Sequence, residues 1–243
     1  MQKLMKPALF ANVQLRNRQP EWMDDPELDP SLHQQALRGL ERINRVSRSS
    51  TIVWRGVRRL IRDVPAASLR VLDLACGGGD VTRAIAHRAA RAGLKWQVDG
   101  CDVSPVAIDH ARRAGPLVGG GFFFEHDVVR NPLPPGYDVV VCSLFLHHLD
   151  EETAVVVLRR MAAAAERMSL VNDLARTRLG YILAFAATRL LSRSPVVHLD
   201  GPLSVAGAYT AAEALALAVR AGWREPAVAR QWPQRFLLIG RRA

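Results

Sequence analysis

The stretch Val71-Leu72-Asp73-Leu74-Ala75-Cys76-Gly77-Gly78-Gly79-Asp80 decides how this chain folds. Residues 70–76 form a short apolar run that ends at glycines, the pattern of a strand buried on both faces. Three consecutive glycines are more than a turn needs, and they let the backbone pass close under a ligand without Cβ clashes. Asp80 is then read as the N-cap of a helix over about 80–92, which Gly93 stops. Working outward, residues 96–101, 122–125, 137–143 and 168–173 read as further strands, with helices over 105–114 and 151–166 between them. Such alternation means parallel strands with crossover helices on both faces of a sheet. Two last strands, near 226–230 and 235–240, are joined by a few residues through Trp232-Pro233 and are expected to pair as a hairpin.

Upstream, residues 1–29 are Pro-rich and read as extended chain or turns. Leu32, Leu37, Leu40, Ile43 and Val46 fall at helical spacing, and Ile52, Val57, Leu60 and Ile61 continue it after a Ser-rich break, up to Pro65. After Asp173 comes an apolar helical insertion over about 175–192, then SPVVHLDGPLS, then a helix over about 210–221. The expected organisation is an N-terminal extension and helical cap, residues 1–66, on an α/β domain, residues 67–243, that carries the insertion at about 175–200.

Composition sets bounds. The 243 residues, 49% hydrophobic and 23% charged, make an ordinary globular mix that excludes a disordered chain. Lys+Arg 33 against Asp+Glu 23 gives a net charge of +10, and only three of the 33 are Lys. An Arg- and Ala-heavy chain is what a GC-rich genome writes, so this basicity is a weak argument for a polyanion, and no nucleic-acid partner is expected. Cys76, Cys101 and Cys142 are odd in number and lack a CxxC, so they point to buried apolar residues, not to disulfides or zinc. No other metal-ligand cluster is visible, and no metal is expected. Residues 1–15 have no long apolar core or cleavage site, so a signal peptide is not expected. Residues 179–191 are too short to span a bilayer. A cytoplasmic protein follows as the expectation, with peripheral membrane contact left open.

Three acids accompany the glycine loop. Asp73 sits at the end of the first strand, where it would repel a pyrophosphate but favour a ligand carrying positive charge. The loop also departs from the dinucleotide pattern G-x-G-x-x-G, because Thr82 stands at the third small position, which argues against a nicotinamide oxidoreductase. Asp102, at the tip of the second strand, can accept hydrogen bonds from both hydroxyls of a ribose. Asp127, after the third strand, can accept from an adenine amine while the backbone N–H of Val128 donates to the ring. Asp99 lies inside the second strand, its direction open.

At these positions the chain resembles the class I S-adenosylmethionine-dependent methyltransferases. VLDLACGGGDV is similar to their first motif, hhDhGxGxG, with Ala75 in place of the usual first glycine. GCDVSPVAIDHAR resembles the second motif, EHDVV the third and YDVVVCSLFLHHL the fourth. The likeness covers about residues 68–172 and, more loosely, RFLLIGR. It implies a Rossmann-like sheet of seven strands, mostly parallel with the last antiparallel. It also implies that S-adenosylmethionine lies across the strand ends against Asp73, Ala75, Gly77, Gly79, Asp102, Val103, Asp127, Val128 and Ser143, and leaves as S-adenosylhomocysteine.

The acceptor is less legible. The [DNS]-PP-[YFW] string of nucleobase amine methyltransferases is replaced by Ser143-Leu144-Phe145-Leu146. Leu146-His147-His148-Leu149 is similar instead to quinone-biosynthesis and other small-molecule methyltransferases. The histidines either pack against cofactor and helix or act as a general base, and successive residues are not expected both to face the cofactor. Asn172 and Asp173 emerge at the same edge, to hold or deprotonate a hydroxyl or to cap a helix. Arg176 either orients an acidic or phenolate group or is solvated. The insertion docks on the N-terminal helices or forms a lid, and the segment with Trp22, Met23 and His33 is the other natural lid and acceptor wall. NRQPEWMDD, LVNDLAR and HLDGPLSVAGAYT resemble bacterial methyltransferases of aromatic polyketide and phenolic-lipid pathways. That likeness implies a small apolar acceptor, methylated on a phenolic or polyketide-type hydroxyl. The alternatives are C-methylation of a quinone precursor and a non-catalytic basic module that binds RNA or a membrane surface.

Overall fold

A computed structural model describes residues 13–60 and 68–241, without the side chain of Leu60. Ile61, Pro65 and the expected boundary at residues 66–67 lie outside the described residues.

The first strand, β1 (Ser68–Leu74), runs through the middle of a seven-stranded sheet. Its neighbours are β2 (Lys95–Asp102) and β4 (Tyr137–Ser143), both parallel to it. β3 (Phe123–Glu125) extends one side, and β5 (Ala165–Leu174), β7 (Arg235–Arg241) and β6 (Arg224–Gln231) extend the other. The order is β3-β2-β1-β4-β5-β7-β6, with β7 antiparallel to both its neighbours. The chain winds one way from β1 to β3 and the other from β4 onward, so the crevice above β1 and β4 is the topological switch point where open α/β sheets bind ligands. The mostly parallel sheet and the closing hairpin are those the strand pattern predicts.

Helices α3 (Asp80–Arg91), α4 (Pro105–Arg113), α5 (Glu151–Ala164) and α8 (Ala211–Arg220) cover the sheet. On one face Leu72, Leu74, Val140 and Val171 pack with Leu158, Met161 and Leu217. On the other, Val71, Val98, Val139 and Leu170 meet Ile85, Ala89 and Ile108. That second core also takes in Ile52, Val53 and Val57 of α2 (Ser49–Leu60). Gly56 brings α2 close: a Cβ there would come within 2.6 Å of Leu170 Cδ2. Cys76, Cys101 and Cys142 are free and buried, as expected.

The insertion holds two helices. α6 (Arg178–Leu191) packs on α7 (Pro195–Gly207) and on α1 (Pro30–Val46). The segment SPVVHLDGPLS, to which the sequence pattern assigns no element, falls largely within α7 despite Gly201-Pro202. Ser194 caps its start by accepting from Val197 N, and Pro195 stands at its first turn. Gly201 packs tightly on α6, where a Cβ would meet Thr188 Cγ2 at 2.3 Å. Burial on most sides hides the amphipathic rhythm that marks a surface helix. Among the described residues no single helix is long and apolar enough to cross a membrane.

Candidate active site

The glycine loop is shaped by its backbone. Ala75, Gly77 and Gly79 have φ of 49°, 53° and 75°, the left-handed region, so two of the three glycines relieve a steric cost that Ala75 bears. Gly79 is also packed, since a Cβ would lie 2.5 Å from Phe123 Cζ. Gly79, not Asp80, caps α3; Asp80 is the first helical residue, because the positive φ needed at the cap suits glycine. Leu37 of α1 overlies the loop, with its Cδ2 3.7 Å from where a Gly78 Cβ would stand. The N-terminal helix therefore roofs the first strand end.

The three acids occupy the expected strand ends in different states. Asp73 is buried, and its Oδ2 accepts from Thr82 Oγ1 at 2.6 Å. Its Oδ1 is buried with no hydrogen-bond partner among the described residues. Burial pushes this carboxyl up to about 7 against the help of Thr82. An orphaned, reluctantly ionised carboxylate suits a cationic ligand, which would supply the missing donor. Asp102 accepts from Gly77 N at 2.8 Å and from Ser104 N at 2.9 Å, tying loop and second strand together. Burial raises its pKa, and those two N–H donors oppose the shift. Of the four or so lone-pair sites of a carboxylate, two remain for ribose hydroxyls. Val103 beside it is an exposed apolar side chain. Asp127 Oδ1 accepts from Val129 N and Arg130 N at 2.9 and 3.0 Å, an Asx turn that presents Val128 at the third strand end. Asp99 points away: buried, it accepts from Tyr137 Oη, Phe122 N and Gln97 Nε2.

On the other side of the switch point, Leu144 adopts φ of 59° and its N–H bonds Asn172 O at 2.8 Å, joining β4 and β5 at their ends. Asn172 is buried; its Nδ2 donates to Ser143 Oγ at 2.8 Å and its Oδ1 has no partner among the described residues. Asp173 does not cap a helix; Thr177 caps α6. Instead Asp173 Oδ1 lies 2.7 Å from His147 Nδ1 and its Oδ2 accepts from His147 N at 3.1 Å. Burial opposes its ionisation, but His147 outweighs burial and holds the carboxyl below its usual range. With Nδ1–H turned to a carboxylate, His147 keeps a free lone pair on Nε2, the arrangement of a carboxylate-backed general base.

His148 has its own carboxylate: Nδ1 lies 2.8 Å from Asp24 Oδ2. Burial lowers its pKa, but Glu21 and Asp24 overcome that and push it up to about 9. Both rings turn the same way, toward Glu21. They sit in a 3-10 turn, Leu146–His148, with ring centroids 4.3 Å apart, and both Nε2 atoms face the Glu21 carboxylate at 3.8 and 3.9 Å. No sequence signal joins Glu21 and Asp24 to this turn, because they lie on a distant segment whose path only the tertiary fold defines.

That segment is a strap, residues 13–25, laid across the histidine turn. Arg16 donates to the carbonyls of Gly207, His147 and Leu149 and lies over the Tyr209 ring, and Arg18 donates to His148 O. Trp22 N and Met23 N donate to the two oxygens of Asp200, both at 2.9 Å. Trp22 and Met23 pack against Leu28, Val196 and Val197, between α1 and α7. His33 lies on α1 and is largely buried; burial lowers its pKa, while the nearby Asp102 and Asp24 raise it. Arg176 is not solvated. Its guanidinium donates to Glu213 bidentately at 2.6 and 2.8 Å, and to the carbonyls of Ala208 and Val13. Nearly all its donors are thereby committed to holding the strap on α8, which gives it a supporting place instead of a role facing an acceptor.

Residues 71–167 match the protein family described as a methyltransferase domain. The ubiquinone biosynthesis O-methyltransferase of Xylella fastidiosa (strain 9a5c) is 26% identical over 133 residues, covering 54% of this chain and 52% of that protein. The mitochondrial ubiquinone biosynthesis O-methyltransferase of Schizosaccharomyces pombe is 31% identical over 86 residues, 34% of this chain and 29% of that one. The chain thus spans about half or less of the length of these curated relatives. Magnesium protoporphyrin IX methyltransferase from Synechocystis PCC 6803, solved with bound SAH, superposes with a TM-score of 0.56 at 21% identity, over 82% of this chain and 85% of that one. At that identity the likeness speaks for the fold. Residues 71–167 thus carry a methyltransferase domain, and the sheet order agrees with the fold that the strand-end motifs imply through their resemblance to the class I S-adenosylmethionine-dependent methyltransferases.

Proposed function

We propose that this protein transfers a methyl group from S-adenosylmethionine to a hydroxyl of a small, largely apolar acceptor, most simply a phenol. Bound S-adenosylmethionine supplies an electrophilic methyl group on a sulfonium. Asp102 would hold the ribose hydroxyls, Asp73 the cationic methionine end and the Asp127–Val128 turn the adenine edge. The single observation that carries the reading is the convergence of this donor half with the His147–Asp173 pair across one switch point. His147, fixed by Asp173, accepts the hydroxyl proton at Nε2 as the acceptor oxygen bonds the methyl carbon and the carbon–sulfur bond breaks. Orientation and preorganised charge supply most of the acceleration in such an in-line transfer. Trp22 and Met23, next in sequence to Glu21 and partly buried against Leu28, Val196 and Val197, would give the acceptor side apolar surface. The names of the two curated relatives, both O-methyltransferases, support transfer to oxygen over carbon.

The test is calorimetry with S-adenosylhomocysteine followed by incubation of the chain with methyl-labelled S-adenosylmethionine and a panel of phenols and quinols. Binding near one per chain and label in a methyl ether are the expected results. Label on a ring carbon would replace oxygen with carbon as the acceptor atom, and an absence of binding would overturn the reading.

A further inference from the structure

We propose that Glu21, His147 and His148 form a binding site for one divalent transition-metal ion beside the acceptor. The inference deepens the reading above, on which its place beside the acceptor rests; the ion-binding itself stands on separate geometry.

The three residues bring two imidazole nitrogens and a carboxylate oxygen within 4.8 Å of one another. His147 Nε2 lies 3.8 Å from Glu21 Oε1 and His148 Nε2 lies 3.9 Å from Glu21 Oε2. Both separations exceed a hydrogen bond, so these atoms face one another without a direct bond. Two ligand atoms each about 2.05 Å from a tetrahedral zinc-type ion are about 3.3 Å apart, so each histidine–carboxylate separation, taken to a different oxygen of Glu21, would shorten by about half an ångström.

The surroundings of the three ligands carry the argument further. An imidazole that binds a metal through one nitrogen usually donates its other N–H to a carboxylate or carbonyl, which fixes the tautomer and the ring. Here that arrangement occurs twice: His147 Nδ1 lies 2.7 Å from Asp173 Oδ1, and His148 Nδ1 lies 2.8 Å from Asp24 Oδ2. Each pairing turns Nε2 toward Glu21. The carboxylate is held too, since Ser204 Oγ donates to Glu21 Oε1 at 2.8 Å and the following residues, Trp22 and Met23, are fastened to Asp200. One carboxylate-backed histidine is enough for proton removal. A second one, with a convergent and separately anchored glutamate, matches the needs of a cation better than those of a base.

Two nitrogens and one oxygen suit borderline ions such as Zn²⁺, Co²⁺ or Mn²⁺, and are poor for Mg²⁺ or Ca²⁺, which take oxygen. Three protein ligands leave a position open, and a hydroxyl oxygen bound there would be acidified by the ion. In the loaded protein His147 Nε2 is then a ligand, and the hydroxyl proton passes to solvent. The donor half of the crevice is unchanged.

The test uses the full chain without an affinity tag, stripped by a chelator and titrated with Co²⁺ while its visible absorption is followed. One ion per chain is expected, displaced by Zn²⁺. His147→Ala, His148→Ala and Glu21→Gln should each weaken Co²⁺ at least tenfold. Asp24→Asn, which removes only the outer partner of His148, should weaken it about tenfold. His87→Ala, an exposed histidine on α3, should leave it unchanged. A cooperative melt like that of the wild type selects the variants that fold, and Glu21→Gln and Asp24→Asn change side chains outside the sheet core. Failure of the wild type to take up Co²⁺ or Zn²⁺ up to millimolar concentration, or uptake that ignores all four site variants, overturns the proposal. A parallel titration with S-adenosylhomocysteine separates the two readings: no binding of it alongside intact Co²⁺ uptake refutes the methyl-donor assignment only.

Discussion

Asp102 offers the sharpest test of the donor half. Its carboxylate accepts from Gly77 N and Ser104 N, which leaves two lone-pair sites for the two ribose hydroxyls. Hydrogen bonds to a charged group contribute about 1.5–3 kcal/mol each, so Asp102→Ala should cost about 3–6 kcal/mol of binding, about 10²- to 10⁴-fold in Kd. The same change strips an acceptor from two backbone N–H groups at a half-buried site. Water reaches part of that site and a carboxylate that burial disfavours is removed, so the apo protein should lose only about 1–3 kcal/mol. For a chain of this size that lowers Tm by about 2–4 °C per kcal/mol. Asp102→Asn separates the two effects: one oxygen is kept, but the amide must set its NH₂ against the N–H of Gly77 or Ser104, so stability falls about as far while some ribose contact survives. Calorimetry with S-adenosylhomocysteine reads the first quantity and thermal melting of the apo protein the second. A folded Asp102→Ala protein that binds within threefold of wild type would refute the ribose assignment and the arithmetic behind it.

Three more outcomes follow from the site. His147→Ala should lower turnover about 10²- to 10⁴-fold while S-adenosylhomocysteine affinity stays within threefold, measured by single-turnover transfer and calorimetry. Asp73 is buried and its carboxyl is pushed up to about 7, so between about pH 4 and pH 7 the folded apo chain holds a proton the unfolded chain has lost. Stability from this group is complete below about pH 4 and is lost as pH rises through about 7; Asp73→Asn should therefore gain on wild type by up to about 4 kcal/mol from pH 4 to pH 8, and a pH-independent gap in melting temperature would contradict it. Ala75 has a left-handed backbone, so Ala75→Gly should stabilise by up to about 1 kcal/mol, whereas Gly79→Ala should cost about 2–4 kcal/mol because a Cβ would strike Phe123. Denaturant melts that rank these two the other way would count against the loop geometry.

The placement of the proposed donor half was legible because its signals are local. An apolar run, a glycine loop and acids at strand tips each fall within a few residues, and a parallel sheet then brings Asp73, Asp102 and Asp127 to one edge. The acceptor half depends on contacts that no spacing encodes. Asp24 meets His148 across 124 residues of sequence, and Arg176 finds Glu213 instead of solvent. Asp173 read equally well as a helix cap or a base, and only the turn of His147 toward it gives it a third task, that of holding the ring. Gly201-Pro202 marks a loop by local rules, yet tight packing against Thr188 keeps α7 intact through it.

The strap threaded over the histidine turn divides the molecule into exchangeable parts. Strand tips and glycines on one side carry everything proposed to grip the donor, while residues 13–25 and α7 furnish the opposing wall. Grafting those two pieces from a relative is thus a compact route to altered acceptor choice with the donor machinery left intact. Trimming past Val13 removes the carbonyl that Arg176 holds, and trimming past Arg16 also unfastens the wall from the carbonyls of Gly207, His147 and Leu149.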